Sequence, residues 1–329
     1  MIKKNKKKPM KPDLKQLFLS MTRLRMFEER VADLLLKDEI KCPTHLYIGQ
    51  EAVAVGVCEA LKKDDYVFST HRSHGHYLAK GGDMKKLMAE LFGKSTGCSQ
   101  GRGGSMHIAA PDIGYLGSTA IVGADIPIGV GAGLSSCVRK SKQISVIFFG
   151  DGAVDEGVFY ESINYASLYK LPVLFICENN LFSTHLRICF RQPADNIFQR
   201  IKTFKMPSKR IDGNDVLEVY KNTCAAVDHI RQGKGPYFLE CRTYRWRAHV
   251  GPWLDIDFDF RSKAEVESWI RKCPIKKLEK AMLKKKDFSA AERDRIIADV
   301  KNEIDEAYRF SQESPYPDAK ELLNHVFRD

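Results

Sequence analysis

Apolar residues recur every three or four positions from Leu17 through Met21, Leu24, Phe27 and Val31 to Leu34 in a charged background. That spacing predicts an amphipathic helix, expected to pack across the edge of the central fold. Residues 51–61 predict a second, more buried helix, and residues 84–92 a third that stops before Gly93. The period changes at residues 144–149, where Ile-Ser-Val-Ile-Phe-Phe runs almost continuously apolar and ends at Gly150. Such a run reads as a buried parallel strand. Phe159, Ile163, Ala166 and Leu168 then return to mainly helical spacing, and residues 172–177 form a second apolar strand. Strand, helix and strand make one βαβ unit, which places the chain in the α/β class with a mostly parallel sheet. Residues 126–138 predict a helix rich in small residues, with Gly129, Gly131, Ala132 and Gly133. Each interior glycine costs about 1 kcal/mol relative to alanine, so close packing or a subunit contact must offset the loss. Residues 215–232 predict a further helix, 237–244 a strand, and 263–309 a charged, terminal helical arm. Pro315 and Pro317 precede a last short helix.

Eight glycines between 93 and 123, with almost no strand-like alternation, predict a long irregular region. Loops of that length in compact domains usually serve a site. Residues 183–200 read as a second functional loop. With 329 residues, 43% of them hydrophobic, the chain is long enough for a large core. Of its net charge of +11, six positive charges come from Lys3, Lys4, Lys6, Lys7, Lys8 and Lys11, ahead of the first acid, Asp13. Residues 1–12 are therefore expected to be a disordered basic tail. Without interleaved aromatics the tail does not argue for nucleic acid. Residues 13–329 are expected to form the folded domain with its helical additions. No signal-peptide core follows the tail and no apolar run is long enough to span a bilayer. The nine cysteines are scattered without a CxxC pair, so a cytoplasmic, reducing location is expected, with no membrane partner. Lys284, Lys285 and Lys286 read as a solvated helix surface.

The chemistry concentrates at the ends of the two apolar strands. Gly150-Asp151-Gly152 follows the first and Asn179-Asn180 the second. In parallel sheets the crevice beyond the carboxyl ends of the strands collects ligands, so Asp151 and Asn180 are expected to face it together. A buried carboxylate is expensive unless a cation compensates it, and a carboxylate beside a carboxamide oxygen suits magnesium with phosphate oxygens. Gly152 permits close backbone approach. Arg72 and Arg245 present guanidinium forks suited to phosphoryl oxygens.

This pattern resembles the thiamine-diphosphate motif. Together with His45-Leu46-Tyr47-Ile48-Gly49-Gln50-Glu51, Arg72-Ser73-His74-Gly75, Gly101-Arg102-Gly103-Gly104-Ser105-Met106-His107, Ile121-Val122-Gly123-Ala124 and Thr243-Tyr244-Arg245, it is similar to the alpha subunit of the heterotetrameric 2-oxo acid dehydrogenases. These are the decarboxylating components of the pyruvate, branched-chain and acetoin dehydrogenase complexes. The resemblance spans roughly residues 15 to 320 and implies a thiamine-diphosphate-binding fold. It implies Mg2+ held by Asp151, Asn180 and the backbone carbonyl of Phe182, with Asn179 in support. It implies diphosphate contacts from Arg72, Arg245 and the backbone of Gly150, Gly152 and Ala153, and support of the aminopyrimidine ring by the backbone around Ala120 and Val122. His71 stands where relatives often carry tyrosine, and its imidazole offers an equivalent hydrogen bond. Zinc binding by His45, His74 and His249 is disfavoured by their separations; the resemblance makes them active-site imidazoles, with His249 the main candidate for proton donation. Val250 follows His249 where many mitochondrial relatives place a regulatory serine, and 250–260 contains no serine, threonine or tyrosine. Trp253, Phe258 and Phe260 alternate there with Asp255, Asp257 and Asp259, a loop expected to order on binding.

The function implied is oxidative decarboxylation of a small 2-oxo acid, pyruvate first, with acyl transfer to lipoyl on a dihydrolipoyl acyltransferase. A beta subunit in an α2β2 assembly is expected to supply the glutamate that activates the cofactor. The alternatives are an acetoin dehydrogenase-like enzyme and a noncatalytic cofactor-binding scaffold.

Overall fold

The computed structural model describes residues 12–285 and 288–324. The expected tail, apart from Pro12, and Lys286 lie outside them. The strands are β1 Tyr66–Ser69, β2 Tyr115–Ser118, β3 Ser145–Gly150, β4 Val173–Asn179, the two-residue pair β5 Phe182–Ser183 and β6 Leu186–Arg187, then β7 Ser208–Asp212 and β8 Tyr237–Arg242. Six of them form one parallel sheet in the order β2-β1-β3-β4-β8-β7, while β5 and β6 form an antiparallel hairpin. The helices are α1 Leu14–Leu36, α2 Glu51–Cys58, α3 Ser73–Ala79, α4 Met84–Leu91, α5 Asp125–Val138, α6 Gly157–Leu168, α7 Ile197–Lys202, α8 Val216–Arg231, α9 Lys263–Ile270, α10 Pro274–Lys284 and α11 Ala290–Glu313. None of the described helices is long and apolar enough to cross a membrane.

Strand alternation divides the core. Val146, Phe148, Leu174, Ile176 and Leu239 meet α2, α8 and the inner side of α1 and α11 on one face. Ile147, Phe149, Val173, Phe175 and Phe238 meet α5, α6 and α7 on the other. The central strands β3 and β4 are thus apolar on both faces, as a sheet covered by helices on each side requires. The βαβ unit is β3-α6-β4, with a 3₁₀ turn, Asp151–Asp155, between β3 and α6.

Two expectations are corrected. First, α1 lies outside α2 and α3, not across a sheet edge: Leu17, Phe18, Met21 and Leu24 pack with Ala52, Val55, Leu278, Met282 and Phe288. Second, the region 93–123 contains β2, and Ser208–Asp212 forms β7; these are the two outer strands. Each exposes much of its length and so lacks an apolar run to betray it. The charged C-terminal segment is helical as expected, and α11 packs back on α4 and α1 through Val300 and Ile304. The small-residue helix α5 explains two of its glycines. A Cβ on Gly129 would lie 2.4 Å from Ile147 and one on Gly133 2.5 Å from Val173, whereas one on Gly131 would meet nothing within 4 Å. Sheet contact therefore offsets Gly129 and Gly133 but not Gly131.

Candidate active site

Parallel pairing of β3 with β4 runs to Gly150 opposite Glu178, so Asp151 and Asn180 leave neighbouring strand ends side by side. The Asn180 N–H donates to Asp151 Oδ1 at 3.2 Å. Asn180 is 7% exposed and Asp151 fully buried, both at the carboxyl ends of the sheet. Asn180 Nδ2 donates to Gln50 Oε1 at 3.0 Å, and its Oδ1 accepts from the Phe182 N–H at 3.2 Å. This fixes the carboxamide orientation. Burial pushes the Asp151 carboxyl up, and Arg191 opposes that by donating to Asp151 Oδ2 and to Asp155. A Cβ on Gly152 would fall 2.5 Å from Ser183 Oγ, so only glycine lets the β5–β6 hairpin close over the turn.

Asn180, Gln50, Gly152 and Ser183 open into a cavity of about 230 Å³ whose wall includes His45, His71, Arg72, Ala120, Val122, Gly150, Gly152, Ala153, Asn180, Phe182, Arg245 and His249. Asp151 does not face it together with Asn180 as expected: fully buried, it is not part of that wall, and its two oxygens are taken by the Asn180 N–H and Arg191. Gln50, Asp125, Glu178, Ser183 and Thr184 complete part of it. Arg72 Nη1 donates to the Leu46 carbonyl at 2.8 Å and Nη2 to the His249 carbonyl at 2.9 Å, tying two distant segments to the mouth. Burial and the nearby Arg261 lower the Arg72 guanidinium to about 10. Arg245 is lowered to about 8, first by burial and then by Arg72 and Arg261. Its Nη1 reaches Asp255 Oδ2 at 2.9 Å, and its Nη2 donates to the Thr184 carbonyl at 2.6 Å. Arg245 therefore lines the cavity while spending several donors on protein acceptors. Asp255, 1% exposed, is the counter-ion shared with Arg261, and it anchors the aromatic loop from below. Phe260 stacks on His185 with centroids 3.7 Å apart, while Trp253 and Phe258 remain half-exposed.

The structure gathers His45, His71 and His249, with ligating nitrogens within 4.8 Å of one another. Burial first, and Arg72 next, lowers His45 to about 3 and His71 and His249 to about 2. Arg72 Nη2 also reaches His249 Nδ1 at 3.3 Å, a donation that leaves the imidazole proton on Nε2. His74 is elsewhere: fully buried, it lies between Glu28 Oε2 at 3.3 Å and Ser105 Oγ at 2.9 Å, outside the cavity wall.

Several site groups were not found in the sequence. Gln50 stood within the motif around Gly49 without being given a role, and Glu178 stood beside the asparagine pair. Asp125 carried one signal, an acid inside an apolar, small-residue helix. Arg191 lay within the loop 183–200 without any sign of its partner, because only the fold of that loop brings it to Asp151. Three buried polar atoms on this one wall, His45 Nδ1, Gln50 Nε2 and Asp125 Oδ2, have no protein partner among the described residues. Buried polar atoms are normally satisfied, so the wall is built to meet a polar ligand.

A dehydrogenase E1 component model matches residues 19–320. The chain is 39% identical to the alpha subunit of the acetoin:2,6-dichlorophenolindophenol oxidoreductase of Bacillus subtilis, over 94% of this chain and 92% of that protein. It is 39% identical to the pyruvate dehydrogenase E1 component subunit alpha of Porphyra purpurea, over 93% of this chain and 90% of that protein. The Rickettsia bellii subunit of the same name is 36% identical over 99% of both chains. With its parallel sheet, its strand-end acid and amide and this continuous likeness, the chain belongs to the dehydrogenase E1 component family.

Proposed function

We propose that this chain is the alpha subunit of a 2-oxo acid dehydrogenase, acting on pyruvate with thiamine diphosphate and Mg2+ and passing the acyl unit to a lipoylated acyltransferase. The observation that carries the reading is the convergence of Asn180, Arg72, Arg245 and three imidazoles on one cavity at the carboxyl ends of β3 and β4, with Asp151 buried beside Asn180 and bonded to its N–H. Asp151, the Asn180 carboxamide and the Phe182 carbonyl would hold the cation. Arg72, Arg245 and the amides of Gly152 and Ala153 would hold the diphosphate. Thiamine diphosphate, when bound, supplies the electron sink on which a 2-oxo acid loses carbon dioxide. The chain's own residues orient and exclude water. Arg72 fixes the His249 ring, and the Nε2 proton of that ring is available for donation at the mouth. His74, braced by Glu28 and Ser105, would support the wall from behind.

The beta partner belongs to the same proposal. Ile128 is 56% and Val138 73% exposed on α5, the helix that also carries the open Gly131, and Leu168 is 69% exposed on α6. An apolar face of this kind suits a subunit contact. A cytoplasmic location is also part of the proposal, in keeping with nine free thiols.

Acetoin as substrate is the second reading, favoured by the likeness to the Bacillus subunit. The chain reconstituted with its beta partner and an acyltransferase should release labelled carbon dioxide from pyruvate only when thiamine diphosphate is added. Release from neither pyruvate nor a branched 2-oxo acid, with acetoin cleaved, would select the second reading. No turnover of any of the three would favour a scaffold.

A further inference from the structure

Asp125 opens α5, and the Ala124 N–H bonds the Ile121 carbonyl at 3.2 Å while the Ile126 N–H bonds Gly123 at 3.2 Å. That turn sets Asp125 on the same cavity wall as Val122 and Gly123. The side chain is 2% exposed, and its Oδ2 has no partner among the described residues. Capping does not explain it: the N-cap of α5 is Ala124, and no side-chain cap bond is made there.

We propose that Asp125 is a cofactor-contacting residue whose carboxyl group hydrogen-bonds the aminopyrimidine edge of thiamine diphosphate. The proposal rests on the cofactor reading above and adds a residue to it. The charge around Asp125 selects this end of the ligand. Glu178, on the same wall, disfavours a second anion, whereas Arg72 and Arg245 on that wall suit the diphosphate. Ile121 and Val122, with 68% and 50% of their surface exposed beside Asp125, offer an apolar flank suited to a flat ring. Burial first, and then Glu178, holds the Asp125 carboxyl well above the ordinary range, against the pull of its own N–H and that of Ile126. A protonated carboxyl presents one donor and one acceptor in a plane. An aminopyrimidine presents an amine donor beside a ring-nitrogen acceptor, the complementary pair.

The test is calorimetry on the full chain assembled with its beta partner, in Mg2+, with two probes: thiamine diphosphate and inorganic diphosphate, which lacks the ring. Asp125→Asn keeps a donor and an acceptor and should bind thiamine diphosphate within about threefold of wild type. Asp125→Leu should weaken thiamine diphosphate about tenfold, the scale of a lost buried hydrogen bond, and leave inorganic diphosphate unchanged. Asp125→Ala, which adds no bulk, takes its place if the leucine variant does not fold. Unchanged thiamine diphosphate affinity in the leucine or alanine variant, or equal weakening of both probes, would overturn the ring contact. A wild-type protein that binds inorganic diphosphate but not thiamine diphosphate would instead overturn the cofactor reading itself, and the ring contact with it.

Discussion

At the scale of single residues, the three imidazoles at the mouth give the site a pH signature. Their ring centroids lie 4.6, 5.0 and 5.4 Å apart, and all three titrate below the ordinary 6.5 because burial and Arg72 oppose protonation. Between pH 6.5 and the lowered values the unfolded chain binds protons that the folded chain refuses. Stability is therefore full above 6.5 and falls on acidification, by about 1.4 kcal/mol per pH unit for each such histidine. Urea unfolding between pH 5 and 6.5 should show a slope that drops by about that increment in His71→Phe. An unchanged slope would mean that His71 protonates freely in the folded protein. For His249→Ala we expect cofactor affinity preserved and turnover of the assembled enzyme reduced about tenfold, the scale of a lost hydrogen bond from the neutral ring's Nε2–H; wild-type turnover would remove the residue from the reaction. The placement of Asp151 and Asn180 at neighbouring strand ends was legible in the sequence because each follows an apolar strand. The gathering of His45 with His71, and the exclusion of His74 from the wall, were not legible: both depend on how α3 turns against the segment before α2.

Among the elements, strands β3, β4 and β8 announced themselves, whereas the outer β2 and β7 and the short inner β1 did not. Strands β3, β4 and β8 are largely buried on both faces and carry apolar runs, whereas Ser-Lys-Arg-Ile-Asp of β7 needs one buried position only. The stripe of α1 was equally plain, yet a stripe reports that a helix is covered and not by what; the cover proved to be other helices. The glycines of α5 yield a paired prediction. Gly129→Ala places a methyl 2.4 Å from Ile147 and should destabilise the chain by about 1–3 kcal/mol, as overpacking does. Gly131→Ala has open space around it and should stabilise the isolated chain by up to about 1 kcal/mol. Thermal unfolding of the two variants decides this; a shift of the same sign in both would contradict the packing described for α5.

Over the whole molecule, the proposed beta partner would cover exposed apolar residues of α5 such as Ile128 and Val138. Ile128→Glu should leave the folded stability of the isolated chain within about 0.5 kcal/mol, as an exposed position allows, while preventing assembly with the beta partner in light scattering. Intact assembly would move the interface elsewhere. The central claim is narrower: a cation between two neighbouring strand ends grips the diphosphate of the cofactor. Calorimetric titration of thiamine diphosphate into the assembled protein, with Mg2+ and again with chelator, for wild type and Asp151→Ala, tests it most directly. The account predicts binding by wild type in Mg2+ that the chelator abolishes, and a loss of at least about a hundredfold in the variant, the scale set by removing a buried charge partner. Equal affinity with and without metal, or a variant that binds as wild type does, would contradict it.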